Sequence, residues 1–134
     1  RASLDKLFRE QMAAAGIAYV ADWVRDDQPV RIKTKIGKLV SVPYTVEIND
    51  VVMSAIQLQP SDEIFRRGRD HFDRLYQEGA TIPRVMAITI HPYLTGAPHR
   101  IGYLEALYDH ILRHKDVHIC TGAEILDIFN NQAG

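Results

Sequence analysis

Hydrophobic positions along the chain change period several times, and each change marks an element. Leu4, Leu7, Phe8 and Met12 recur at helical spacing, with Ser3 placed to cap the start and Gly16 to end the helix. Residues 17–22 (IAYVAD) form a short apolar run that reads as a buried strand. Residues 23–37 are polar and broken by Pro29 and Gly37, which predicts a loop with a small ribbon in it. A second strand is expected over 38–44 (KLVSVPY), with TVEIND leading out of it, whereas 51–60 keep no clear period. From Ser61 the pattern turns helical, with Ile64, Phe65, Phe72, Leu75 and Tyr76 on one face until Gly79. Residues 85–90 (VMAITI) carry β-branched side chains and almost no polarity, the pattern of a strand covered on both sides. Ile101, Leu104, Leu107, Tyr108, Ile111 and Leu112 define another amphipathic helix, and 117–120 (VHIC) a short strand. Thr121 followed by Glu124 forms a capping box that opens a final helix.

Strands alternating with helices in this order predict a parallel α/β sheet or barrel. With no internal repeat and no linker, residues 1–134 read as a single unit. The length of 134 residues suffices to bury a core, and 46% hydrophobic with 25% charged residues is a globular composition. A net charge of -1 gives no electrostatic reason to expect nucleic acid or an anionic membrane as partner. The single Cys120 excludes an internal disulfide and suits a reducing, cytoplasmic compartment. No apolar run approaches the roughly 20 residues that span a bilayer, and no signal-peptide pattern opens the sequence.

In parallel α/β folds, ligands bind at the carboxyl ends of strands, where loops carry polar groups over a rigid floor. Three expected strands here end in reactive side chains. The first ends in Asp22 and Trp23, followed by Asp26 and Asp27; the second leads through Tyr44 to Glu47, Asn49 and Asp50; the third ends in His91, Pro92 and Tyr93. Each cluster has an ordinary structural reading: Asp22 as a loop cap, Trp23 as core, Asn49 and Asp50 as a turn, His91 as a structural histidine. Three such ends facing one way favour a shared site. His91 is then the acid/base candidate, since an imidazole with a pKa near ~6.5 can give a proton to a leaving nitrogen or oxygen at neutral pH. His99 and Arg100 are either substrate ligands from the next loop or the N-terminus of the helix that follows.

Residues 21–29 (ADWVRDDQP), 38–50 (KLVSVPYTVEIND) and 88–111 (ITIHPYLTGAPHRIGYLEALYDHI) together resemble the polysaccharide deacetylase family, with its NodB homology domain, near the allantoinase-like bacterial branch. The resemblance runs from about residue 4 to 128. It implies an α/β fold, the C-terminal part of a distorted (β/α) barrel of about seven strands. It also implies hydrolysis of a carbon–nitrogen amide bond that is not a peptide bond, in an N-acetylated sugar or a ureide such as allantoin. By that resemblance His91 is the general acid, and Asp22 and Trp23 match a motif whose Asp supports an upstream Arg and whose Trp lines the acetyl pocket. Tyr19 stands where that motif has its first Asp, and Thr89 where a leucine is usual.

The family's Asp-Asp and His-x-x-x-His motifs, which supply the base and the ligands of a divalent metal such as zinc, belong to the N-terminal half. Asp26 with Asp27, and His110 with His114, imitate these motifs at the wrong places, and no metal ligand is assigned to this chain. Histidines four apart on a helix can bind zinc, but a helix C-terminus also favours solvated cations for its dipole. The expected partners are a small-molecule or carbohydrate substrate and the missing N-terminal half or a second chain, with self-association into a homo-oligomer. The alternative is a truncated, non-catalytic half-barrel that binds a ligand or assembles with other chains, since open barrel edges have to be paired or covered.

Overall fold

The computed structural model describes residues 2–132, with side chains from Asp5 on, so the expected Ser3 cap and the Leu4 side chain lie outside the described residues. Helix α1 (Ala2–Ala14) is followed by strands β1 (Tyr19–Val20), β2 (Val30–Ile32) and β3 (Leu39–Ser41). A 3-10 turn (Val46–Ile48) and a π-helical turn (Val52–Ile56) precede helices α2 (Glu63–Gly79), α3 (Pro92–Thr95), α4 (Ile101–Leu112) and α5 (Gly122–Gln132). The elements form two compact units. One combines the chain up to Tyr44 with the stretch from Ile119 on, and the other runs from Thr45 to His118.

In the first unit β3 is central and wholly buried, pairing parallel with β1 and antiparallel with β2 in the order β1-β3-β2. The sheet is therefore mixed rather than all-parallel, because the ribbon expected in the polar loop folds back directly onto β3. Its turn needs Gly37: φ is +76°, and a Cβ there would sit 2.9 Å from the Ala13 carbonyl oxygen. The Thr34 hydroxyl donates to the Gly37 carbonyl at 2.9 Å, and the Lys35 N–H donates to the Glu10 carboxylate at 2.7 Å, which ties the turn to α1.

Helix α1 ends as its sequence predicts. Gly16 takes φ +78°, and Ile17 N–H reaches the Met12 carbonyl at 3.1 Å. Its buried side differs from the expected one. Leu7 and Phe8 are exposed, and α1 packs through its last turn, where Met12 and Ala13 meet Val20, Ile32, Leu39 and Trp23. At α5 the capping box forms in full: Thr121 N–H donates to Glu124 at 2.6 Å, and Glu124 N–H returns to the Thr121 hydroxyl at 3.3 Å. The bonds from the Thr121 backbone and hydroxyl hold the Glu124 carboxyl below its ordinary pKa.

The second unit rests on α2 against α4. Ile64, Phe72, Leu104, Leu107 and Ile111 enclose a core with Met53 from the π turn, and Leu107 is 0% exposed. Gly68 lets the helices close, since a Cβ there would stand 2.6 Å from a Leu107 methyl. Of the expected α2 and α4 faces, Tyr76 and Leu112 lie outside the core and are exposed.

Two expected strands do not form ladders among the described residues. Residues 85–90 run extended but pair at one bridge, Asn49 with Thr89 in parallel, and are half-buried rather than covered on both sides. A strand needs hydrogen bonds along its length, and here only Thr89 N–H to Ile48 and Asp50 N–H to Thr89 supply them from the backbone. Residues 117–120 are likewise unpaired, with Ile119 67% exposed. Truncating Leu107 to Ala is predicted to lower the unfolding free energy by about 2–5 kcal/mol, seen as a reduced midpoint in urea.

Candidate active site

The single parallel bridge sets the site. Pairing Asn49 with Thr89 aligns 45–50 beside 85–90, and the Ala87 N–H donates to the Thr45 hydroxyl at 3.0 Å along the same line. In that register Ile90 lies opposite Asp50, and His91, the next residue, comes within hydrogen-bond reach of the Asp50 carboxylate. The polypeptide turns sharply there: His91 is extended (φ -118°, ψ 121°), and Pro92 starts the short helix α3, whose first turn brings Thr95 back over the same spot.

Asp50 is 2% exposed, yet its carboxylate is well supplied with donors. Oδ2 accepts the His91 backbone N–H at 2.7 Å and the Thr95 hydroxyl at 2.6 Å, while Oδ1 meets His91 Nδ1 at 2.7 Å. Burial by itself pushes this carboxyl up. The Thr95 hydroxyl, the His91 N–H and the His91 ring together outweigh burial and hold it below its ordinary value. An ionised carboxylate only accepts hydrogen bonds, so Nδ1 must carry a proton, and Nε2 is the nitrogen left to gain or lose one. The His91 side chain is 39% exposed, which leaves the ring accessible beyond its anchored edge. The Tyr93 ring stands edge-on to it at 5.9 Å between centroids.

The other expected site residues divide between the units. Among those of the second unit, Asn49 serves the backbone: its Oδ1 accepts Val51 N–H at 2.9 Å and Val52 N–H at 3.3 Å, the turn that its sequence also allowed. Glu47 is exposed, and its carbonyl accepts Arg67 at 3.3 Å. Arg100 caps the start of α4, with Nε 3.5 Å from the Ser61 hydroxyl, which is the helix-terminus alternative. His99 lines a separate apolar groove with Phe65, Pro98 and Tyr103.

In the first unit Asp22 is exposed, and Trp23 packs on the sheet core with Arg9 and Arg25 over its ring at 4.5 and 5.1 Å. Asp26 accepts the Asp27 N–H at 2.7 Å in an exposed loop, and Tyr44 is half-buried. Sequence reasoning missed Thr95. Its signal is the spacing: four residues after His91, with Pro92 between, it falls one helical turn along.

The divalent metal that the resemblance implies finds no ligand set at His91, because both Asp50 oxygens are engaged by Thr95 and His91. Among the described residues, His, Cys, Asp and Glu ligand atoms gather closely enough to share an ion at Asp73, His110 and His114, a group without His91 or Asp50.

No family model matches the chain. Three solved structures share its α/β fold, which is of the NodB deacetylase type. A Pseudomonas aeruginosa protein named as a polysaccharide deacetylase superposes with a TM-score of 0.85 at 28% identity, over 95% of this chain and 43% of its own. Puue allantoinase superposes equally well, with a TM-score of 0.85 at 27% identity over 94% of this chain and 43% of its own. A Mycobacterium smegmatis structure, at 19% identity and a TM-score of 0.82, speaks for the fold alone. A Schizosaccharomyces pombe protein that carries the polysaccharide deacetylase name is 37% identical over 106 residues, 77% of this chain and 33% of its own length. In sequence and in fold the chain is thus similar to the polysaccharide deacetylases, the family its motifs resemble, and it spans about a third of that curated relative.

Because the folded-state pKa of Asp50 lies below the unfolded one, unfolding takes up a proton in that interval. The stabilisation is complete above about pH 5 and is lost as pH falls through the depressed value. Asp50→Asn is therefore predicted to be less stable than wild type by about 1–3 kcal/mol at neutral pH, with the gap narrowing as pH falls through the depressed value. Urea midpoints of both proteins across that range check it.

Proposed function

We propose that this chain supplies the general acid of a polysaccharide deacetylase-like hydrolase that cleaves a carbon–nitrogen amide bond in an N-acetylated sugar or a ureide such as allantoin. The observation that carries the proposal is the hold of buried Asp50 on His91 Nδ1. It fixes the ring plane and occupies Nδ1, which leaves Nε2 as the nitrogen through which a proton can be taken up and given. Water adds to the amide carbonyl, activated by residues of the complete protein other than these. His91, having taken up a proton from solvent at Nε2, passes it to the departing nitrogen as the carbon–nitrogen bond breaks, and the ring returns to the Nδ1–H form that Asp50 holds. Asp50 and Thr95 act through His91 and are positioning residues. Tyr93, exposed beside the ring, offers an aromatic surface to the substrate.

The same proposal makes residues 1–134 one part of a barrel domain, the C-terminal portion of a distorted barrel of about seven strands. Superposition on under half of two larger α/β chains supports this reading. The extended 85–90 segment becomes a barrel strand, completed by the remaining half or by a second chain.

In the complete protein, His91→Ala is predicted to lower kcat by about two to four orders of magnitude. Parallel assays on N-acetylated oligosaccharides and on allantoin identify the substrate class. Full turnover of that substrate by the variant would remove His91 from the mechanism. Asp50→Asn is predicted to lower kcat while leaving KM within about twofold, as expected when a group acts on the transition state alone.

A further inference from the structure

A second histidine–aspartate pair lies away from these residues in sequence and has a different character. Asp73 comes from the middle of α2, His110 from the last turn of α4, and His114 from the turn that follows it. His110 Nε2 meets Asp73 Oδ1 at 2.6 Å, and one ligand atom from each of the three residues lies within 4.8 Å of the others.

The sequence shows only the histidine spacing; the helix packing adds the carboxylate. His114 Nδ1 bonds the His110 carbonyl at 2.9 Å. A carbonyl only accepts, so Nδ1 carries the proton and Nε2 is left as the basic, metal-competent nitrogen. The rings are held in place. His114 lies edge-on to Phe72 at 4.9 Å, to Tyr76 at 4.8 Å and to His110 at 4.9 Å between centroids.

We propose that Asp73, His110 and His114 form a binding site for a transition-metal ion of the zinc type, pinning α2 to α4, and that this site is independent of the reaction assigned to His91. Two imidazoles with one carboxylate are a donor set for zinc, cobalt or nickel; calcium and magnesium, which take oxygen ligands, fit it poorly. Bonds of about 2.0 Å at tetrahedral angles put ligand atoms about 3.3 Å apart, so atoms now within 4.8 Å close by about 1.5 Å at most. The ion replaces the proton that His110 Nε2 shares with Asp73. That proton leaves for His110 Nδ1 or for solvent, and a water completes the coordination. All three residues are half-buried, which leaves the ion a route in.

Calorimetric zinc titration of the complete wild-type protein is compared with Asp73→Asn and His114→Gln, with calcium as the control ion. The site predicts one zinc equivalent that each variant loses or binds at least about tenfold more weakly, and no saturable calcium binding there. It also predicts a zinc-dependent rise in Tm of the wild type that Asp73→Asn lacks. Asp73→Asn keeps the carboxylate's shape, so circular dichroism distinguishes loss of the site from loss of the fold. If Asp73→Asn fails to fold, His114→Gln is read alone. Zinc stoichiometry and affinity unchanged in a folded variant, or calcium competing equally, would overturn the proposal and leave His110 and Asp73 as a plain hydrogen-bonded clamp between helices. Because His91 plays no part in this titration, failure here leaves the hydrolase proposal standing, and the converse holds.

Discussion

A carboxylate taken out of water has to be surrounded by donors, and Asp50 meets that requirement with three. Each donor ties down a different part of the second unit. The His91 N–H ends the extended segment, the His91 ring is turned outward, and the Thr95 hydroxyl sets the first turn of α3. Removing the charge would free all three at once. The register that delivers them comes from one parallel bridge between Asn49 and Thr89, and Asn49 also nucleates the π turn that buries Met53. Backbone pairing, helix start and candidate acid are therefore one construction, in which the polar group is costly to bury and specific because it is buried.

The two histidine–aspartate pairs of this unit show how burial selects chemistry. The Asp50 side chain is 3% exposed and the Asp73 side chain 41%. In the first pair a dry, fully engaged carboxylate acts on one imidazole and leaves no room for an ion. In the second, a half-exposed carboxylate sits at the meeting of two helices with two imidazoles near it. Similar contact distances, 2.7 and 2.6 Å, thus suit different ends: a candidate proton donor in one case, a candidate ligand set in the other.

Much of this was legible in the sequence. The α2 and α4 periodicities, the Gly16 helix stop, the ribbon at Pro29 to Gly37 and the Thr121–Glu124 capping box all depend on local chemistry, and all are present. The expected strands at 85–90 and 117–120 form no ladder among the described residues, because strand formation depends on partners that no local pattern specifies. Leu7 and Phe8 were placed inside for a related reason: periodicity identifies an apolar face but not what lies against it. At the site, His91 stood out at the end of an apolar run. Asp50 was picked out only as one of several reactive groups near a shared site, and the sequence did not show that its oxygens meet His91 and Thr95. Thr95 offered only its spacing from His91 as a signal, and Asp73 offered none without the packing that brings residues 37 positions apart into contact.

The arrangement around Asp50 makes a specific statement about where a proton resides. Nitrogen-15 chemical shifts of the His91 ring at neutral pH report it directly. The account predicts hydrogen on Nδ1 whenever the ring is neutral, reverting toward the mixture of a free imidazole when Asp50 is replaced by Ala. Hydrogen on Nε2 with none on Nδ1 in the wild-type protein, or a tautomer indifferent to the loss of Asp50, would contradict it.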